Sequence, residues 1–246
     1  MTASTKLWTN EALAAPHEAA DKAARVRRMF NAIAPRYELV NSLFSAGRDA
    51  AWRRKAVRLA GAGTDDVVLD VACGTGDFAR AFAAAGAAVI GCDFAHEMLR
   101  RARGRGQGRM TWCEADAESL PFADGMFSLV SCAFGVRNFQ DRGRGLTEMR
   151  RVLQPGGRVV ILEFGKPQGR LLGRCYDFYT NRLMPLGARL VSGDRTGAYR
   201  YLPRSVASFP AADQMTAELS RAGFRRASAT ALTFGAVYVY LGFKAS

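Results

Sequence analysis

The chain has 246 residues, 49% of them hydrophobic, enough to bury one substantial core as a single α/β domain or two small ones. Lys and Arg number 35 against 22 Asp and Glu, and the resulting +13 favours phosphates, anionic lipid headgroups or acidic small molecules, although an Arg-rich solvated surface gives the same balance. No apolar run approaches the roughly 20 residues of a spanning helix, no two of the five cysteines have CxxC spacing, and the start lacks the basic-then-apolar order of a secretory leader, so neither a spanning protein, a metal site nor a secreted chain is expected. An odd cysteine count without a leader points to a reducing compartment and a cytoplasmic location.

Residues 1–22 read as polar, Ala-rich and poorly ordered, and 23–246 as one domain. Between 23 and 60, Val26, Met29, Phe30 and Ile33, then Leu39, Val40, Leu43 and Phe44, recur at helical spacing. Pro35 breaks that stretch, because proline disfavours a helical residue before it. A second helix near 48–59 carries Trp52 and Val57 among Arg53, Arg54, Lys55 and Arg58, and the GAGT stretch at 61–64 ends it. Then the period changes. Short β-type runs at 67–72, 87–93, 110–115, 127–133 and 158–164 alternate with helical segments at 77–85, 95–103 and 143–153. Such alternation predicts a parallel sheet with crossover helices. Cys73, Cys92, Cys113 and Cys132 fall 19, 21 and 19 residues apart, at or near strand ends, and read as small buried apolar residues. Pro155-Gly156-Gly157 turns the chain into the fifth strand, and a helical insertion covers 165–200. A helix near 211–222 precedes RRASATAL and GAVYVYLGFK, which read as an antiparallel pair at the sheet's edge.

The predicted ligand site lies outside the carboxyl ends of the strands, where strand order reverses. There the first strand ends in VLDVACGTGDFAR, with Asp70 ahead of Gly74-Thr75-Gly76. Gly74 and Gly76 let the backbone bend sharply and approach a ligand with no Cβ in the way. The pattern G-x-G-x-x-A alone is shared with dinucleotide enzymes. Asp93, 19 residues after Gly74, can accept hydrogen bonds from two ribose hydroxyls; the N-cap of the next helix is its lesser reading, and the two roles are compatible. Asp70 points an acid toward the turn, which repels a diphosphate and attracts the sulfonium and amino group of S-adenosylmethionine. Glu114-Ala115-Asp116-Ala117 follows the third strand; a carboxylate there can accept from an adenine amino group, and Ala117 leaves its backbone free.

Several longer stretches carry a resemblance. DVACGTGDFA, EADAESLPFADGMF, FGVRNFQD, EMRRVLQPGG and ILEF resemble the class I S-adenosylmethionine-dependent methyltransferases. More narrowly, with FNAIAPRYELVNSLFSAGRDAAWRR and YRYLPRSVASFP, they resemble the C-methyltransferases of menaquinone and ubiquinone biosynthesis. The similarity runs from about Phe30 to the end, and FGVRN is its most specific piece. It implies a Rossmann-like, doubly wound, mostly parallel sheet with an antiparallel C-terminal edge, and residues 23–60 as a helical lid. It also implies cofactor contacts at Thr75, Asp93, Asp116 and Ala117, and places Arg137 and Asn138 near the acceptor ring. Tyr37 and Asn41 match the lid. Ala133 departs from the serine that some members have before FG, so a hydroxyl contact to cofactor is absent there.

The acceptor that the resemblance implies is a prenylated quinol whose ring carbon becomes nucleophilic when a hydroxyl loses its proton. Such an enzyme must align two reactants and stabilise an oxyanion. Arg137 suits the oxyanion, or a water that removes the proton; a structural ion pair at a strand end is its other reading. Asn138 serves the acceptor or caps the following helix. His17 and His96 are the only histidines, and neither is placed as a general base. Phe30, Leu43, Phe44, Met184 and Leu186 are candidates for an apolar tail route. Arg53-Arg54-Lys55 and 100–109 are candidates for peripheral contact with an anionic bilayer, at about 1 kcal/mol per charge. The +13 charge also raises an RNA methyltransferase, but no Asn/Asp-Pro-Pro-aromatic stretch and no Pro-Cys pair is present. A non-catalytic nucleoside-binding protein on the same scaffold is disfavoured by the intact glycine turn, Asp93 and Arg137. YLPRSVASFP leans toward menaquinone over ubiquinone, and the oligomeric state, a homodimer included, stays open.

Overall fold

A computed structural model describes residues 7, 8, 13, 19–37, 45, 47–105, 110–165, 167 and 197–246. Strands β1 (Val67–Val71), β2 (Ala88–Asp93), β3 (Met110–Glu114), β4 (Phe127–Ala133), β5 (Leu153–Phe164), β6 (Arg225–Leu232) and β7 (Val237–Phe243) form one sheet in the order β3-β2-β1-β4-β5-β7-β6. The first five are parallel; β7 runs antiparallel between β5 and β6. Around them lie α1 (Lys22–Ile33), α2 (Asp49–Leu59), α3 (Asp77–Ala84), α4 (His96–Arg105), α5 (Arg142–Val152), α6 (Ala198–Ala207) and α7 (Ala212–Arg221). The chain winds outward in two directions from the β1–β4 junction, so the order reverses there and a crevice opens above the strand ends.

The central strands are apolar on both faces because helices cover both. Leu69, Val130 and Ile161 face Leu146 and Met149 of α5 and Met215 and Leu219 of α7. Their neighbours Val68, Leu129 and Val160 face Trp52 and Ala56 of α2 and Phe78 and Phe82 of α3. That is the period of two expected of a strand, read out as two cores. Burial of each such side chain contributes about 1.5–3 kcal/mol. The regular cysteine spacing has the same origin: Cys92 and Cys132 are buried, and Cys73, Cys92, Cys113 and Cys132 are all free thiols.

A third cluster seats α1. Val26, Met29 and Ile33 pack with Met98 of α4, with Tyr201 and Leu202 of α6, and with Trp8 and Leu13. α1 stops at Ile33, and Pro35 enters a 3-10 turn, as proline's fixed φ requires. The sequence reads as a loose start, but Trp8 and Leu13 are buried, with Arg25 donating to the Leu7 carbonyl and Arg204 to the Leu13 carbonyl. The expected turn at 155–157 lies within β5, which begins at Leu153 and meets β4 through a register shift. Residues 168–196 of the expected insertion lie outside the described residues.

Candidate functional site

Above the β1–β4 junction is a cavity with an empty volume of about 630 Å³, open solvent at its mouth included. Ala72 and Gly74 from the β1 turn and Asp93 and Phe94 from the β2 end form one wall. Residues 115–118 after β3 form a second, and Ala133, Phe134, Gly135 and Asn138 after β4 a third. Ala23, Phe30 and Tyr37 close it from the α1 side. The backbone is strained where it meets this space. Ala72 (φ 54°) and Phe134 (φ 56°) both hold the left-handed conformation that non-glycine residues avoid.

Asp93 organises the first wall. Its Oδ2 accepts from the Gly74 N–H at 2.9 Å and its Oδ1 from the Ala95 N–H at 2.8 Å. One carboxylate therefore ties the glycine turn to the entry of α4, and lone pairs remain on both oxygens. Burial pushes its pKa up to about 6, although the backbone donors oppose the shift. Gly74 has φ 57°, and a Cβ there would stand 3.7 Å from the Tyr37 ring, so Tyr37 lies over the turn. Gly76 serves packing: a Cβ would sit 2.4 Å from the Trp112 ring.

Of the sequence-predicted residues, Tyr37, Gly74, Asp93, Asp116, Ala117 and Asn138 line the cavity. Asp116 turns its carboxylate to the Glu118 N–H at 2.9 Å. Thr75 and Asp70 are buried beside the turn, outside the lining. Thr75 Oγ1 and Asp70 Oδ2 have no hydrogen-bond partner among the described residues. Asn41 lies outside the described residues, as do Leu43, Phe44, Met184 and Leu186. Arg137, expected at the acceptor, is not in the lining. Its guanidinium turns away to Glu163 at the end of β5, 2.7 Å apart, and donates to the Phe134 carbonyl at 2.5 Å. Both side chains of this ion pair are buried. Burial raises the Glu163 pKa, with the Arg137 charge opposing it. His96 is exposed, with Nδ1 3.0 Å from Glu114, and plays no part in the cavity.

A family model described as the ubiE/COQ5 methyltransferase family matches residues 18–244. The chain belongs to this family. A demethylmenaquinone methyltransferase of Thermus thermophilus is 47% identical over 87% of this chain and 99% of its own length. A ubiquinone/menaquinone biosynthesis C-methyltransferase of Geobacter sulfurreducens is 44% identical over 91% of this chain and 90% of its own. Among solved structures, a SAM-dependent methyltransferase from Thermotoga maritima superimposes with a TM-score of 0.64 at 19% identity, covering 88% of this chain and 98% of its own. The fold is that of the class I methyltransferases.

Sequence reasoning missed four residues in or behind the methyltransferase's site. Glu118 accepts from the N–H groups of Gln140 (2.6 Å) and Asp141 (2.9 Å), and so joins the β3 and β4 walls. Gln140 Oε1 accepts from the Ala23 N–H at 3.0 Å and holds the start of α1 against the site. Glu163 and Tyr201 are the other two; an acid closing the apolar run RVVILEF was a readable sign of a buried partner.

Asp70 carries a pH-dependent consequence. It is fully buried, and burial pushes its pKa up to about 7, while the Ser131 hydroxyl (2.7 Å) and the Arg53 charge oppose the shift. Between 3.8 and about 7 the folded methyltransferase holds a proton that the unfolded chain has lost. Stability from this group therefore declines as pH rises through that window and is level above it. Asp70→Asn, which cannot ionise, should gain on the parent across the same window, on the order of 4 kcal/mol by pH 8. Denaturant midpoints of both proteins from pH 4 to 8 read the difference, and a gap independent of pH would refute it.

Proposed function

We propose that this methyltransferase moves a methyl group from S-adenosylmethionine to a ring carbon of a prenylated quinol, with demethylmenaquinol favoured over the benzoquinol of the ubiquinone pathway. The observation that carries this reading is a cavity of mixed lining. Asp93 and Asp116 supply acceptors, and Phe30, Phe94, Phe134 and Phe139 supply apolar surface. The names of the two relatives support the acceptor class.

The residues present fit the cofactor. Spare Asp93 lone pairs suit ribose hydroxyls, Asp116 and Ala117 suit an adenine edge, and the unpartnered Thr75 Oγ1 and Asp70 Oδ2 leave polar capacity beside the glycine turn. S-adenosylmethionine supplies an electrophilic methyl group on its sulfonium. The chain's own part is to orient the quinol, exclude water and stabilise the ring oxygen as it loses its proton. Asn138, in the lining, acts as donor to that oxygen. Arg137 acts through the turn, because Glu163 and the Phe134 carbonyl occupy its guanidinium. Peripheral contact with an anionic bilayer belongs to the same reading. Arg54 and Lys55 are exposed for it, whereas Arg53 is buried and paired with Asp49 at 2.5 Å. Among the described residues no helix is long and apolar enough to cross a membrane.

The test is methyl transfer from labelled cofactor to demethylated naphthoquinol, to its benzoquinol counterpart and to bulk RNA. Mass spectrometry of quinones from cells lacking the protein runs beside it. Label in the naphthoquinol and an accumulated species one methyl short are expected. Label in RNA, or in no acceptor, would end the proposal.

A further inference from the structure

Asn138 is held at both ends of its amide. Nδ2 donates to the Phe134 carbonyl at 3.3 Å, and Oδ1 accepts from the Tyr201 hydroxyl at 2.9 Å. A carbonyl can only accept, so Nδ2 must face Phe134, Oδ1 must face Tyr201, and the Tyr201 hydroxyl must donate. The left-handed Phe134 aims that carbonyl, which the Arg137 guanidinium shares. An amide nitrogen carries two hydrogens. One is committed to Phe134; the other has no partner among the described residues, on a residue that lines the cavity. Tyr201 is fully buried, and its ring stacks on Trp8 with centroids 4.1 Å apart and planes 22° from parallel. Burial raises its hydroxyl pKa, so it stays a donor wherever the protein works.

We propose that Tyr201 is a positioning residue: its hydroxyl locks the Asn138 amide so that the free Nδ2 hydrogen meets the acceptor's ring oxygen. This rests on the quinol reading above. A locked donor is ready where negative charge develops, whereas an amide free to rotate must be reoriented at each turnover. Removing the hydroxyl also strands the buried Asn138 Oδ1 without its donor. The Trp8 stack fixes the Tyr201 ring, so Trp8 acts on the acceptor side of the site.

Tyr201→Phe keeps the ring and its stack. Its kcat should fall about five- to tenfold, with S-adenosylhomocysteine affinity unchanged by calorimetry. A hydrogen bond to the oxyanion lowers the quinol's pKa, so losing its alignment should move the acid limb of the kcat–pH profile upward by about half a unit to one unit. In an Asn138→Ala background, Tyr201→Phe should add nothing. If Asn138→Ala is slow but Tyr201→Phe matches the parent, or if Tyr201→Phe slows the Asn138→Ala enzyme further, the positioning role is overturned. If Asn138→Ala itself turns over normally, the assignment of Asn138 falls, and Tyr201's role with it.

Discussion

Arg137→Ala should lose about 3–5 kcal/mol of stability, because it leaves the fully buried Glu163 carboxylate without its partner. Glu163→Ala should lose a similar amount by stranding the guanidinium. The pair lies 2.7 Å apart with both side chains shielded from water, so neither charge can recover its hydration locally. A loss of turnover in either single variant would therefore say little about chemistry. The double variant Arg137→Met with Glu163→Leu separates the two effects. Replacing a buried ion pair by apolar groups of similar volume is often neutral or stabilising, so most of the stability should return. Turnover should not. The Phe134 carbonyl loses the Arg137 donor, the Val136–Asn138 turn loosens, and misplacement on this scale costs roughly 10²-fold. Thermal unfolding and single-turnover methyl transfer on the three variants decide it. A double variant that is stable and fully active would confine the pair to architecture.

Asp93→Ala should weaken S-adenosylhomocysteine binding by 10²-fold or more, since two hydrogen bonds to a charged acceptor are each worth about 1.5–3 kcal/mol. The same substitution unties the Gly74 and Ala95 N–H groups, which should lower stability by about 1–2 kcal/mol. Asp93→Asn should fall between, because an amide oxygen can keep one backbone donor but its nitrogen cannot keep the other. Titration calorimetry beside a denaturant curve reads both quantities. Affinity within threefold of the parent in Asp93→Ala would reduce this residue to a cap.

The sheet was legible because its strands obey two local rules. FSLVSCA and RVVILEF are apolar without alternation, as strands covered on both faces must be, and the antiparallel end was visible in the two unbroken β-type runs after residue 224. The glycine turn, Asp93 and the loop at Asp116 were legible for a similar reason: each follows a strand directly, so its place above the sheet is set by chain order. Arg137 was legible only in its second reading, an ion pair at a strand end, because the partner, Glu163, lies 26 residues on. Arg137 and Asn138 both reach the Phe134 carbonyl from one 3-10 turn, yet only Asn138 lines the cavity. Tyr201 was harder still. Its contact with Asn138 spans 63 residues and depends on where α6 docks, which no periodicity within α6 reports. Trp8 shows the same limit, for a lone aromatic in a polar stretch gives no sign of the ring it will meet.

The two ends of the polypeptide differ in what they touch. Lys244 pairs its backbone with Gly157 and its ammonium with the carbonyls of Arg151 and Leu153, at the floor of the sheet, away from the crevice. Trp8, by contrast, is wedged against the ring that steadies Asn138. An affinity handle fused after Ser246 should leave catalysis alone. Trimming ahead of α1, a routine step when a floppy leader is suspected, would strip the Tyr201 ring of the indole stacked on it.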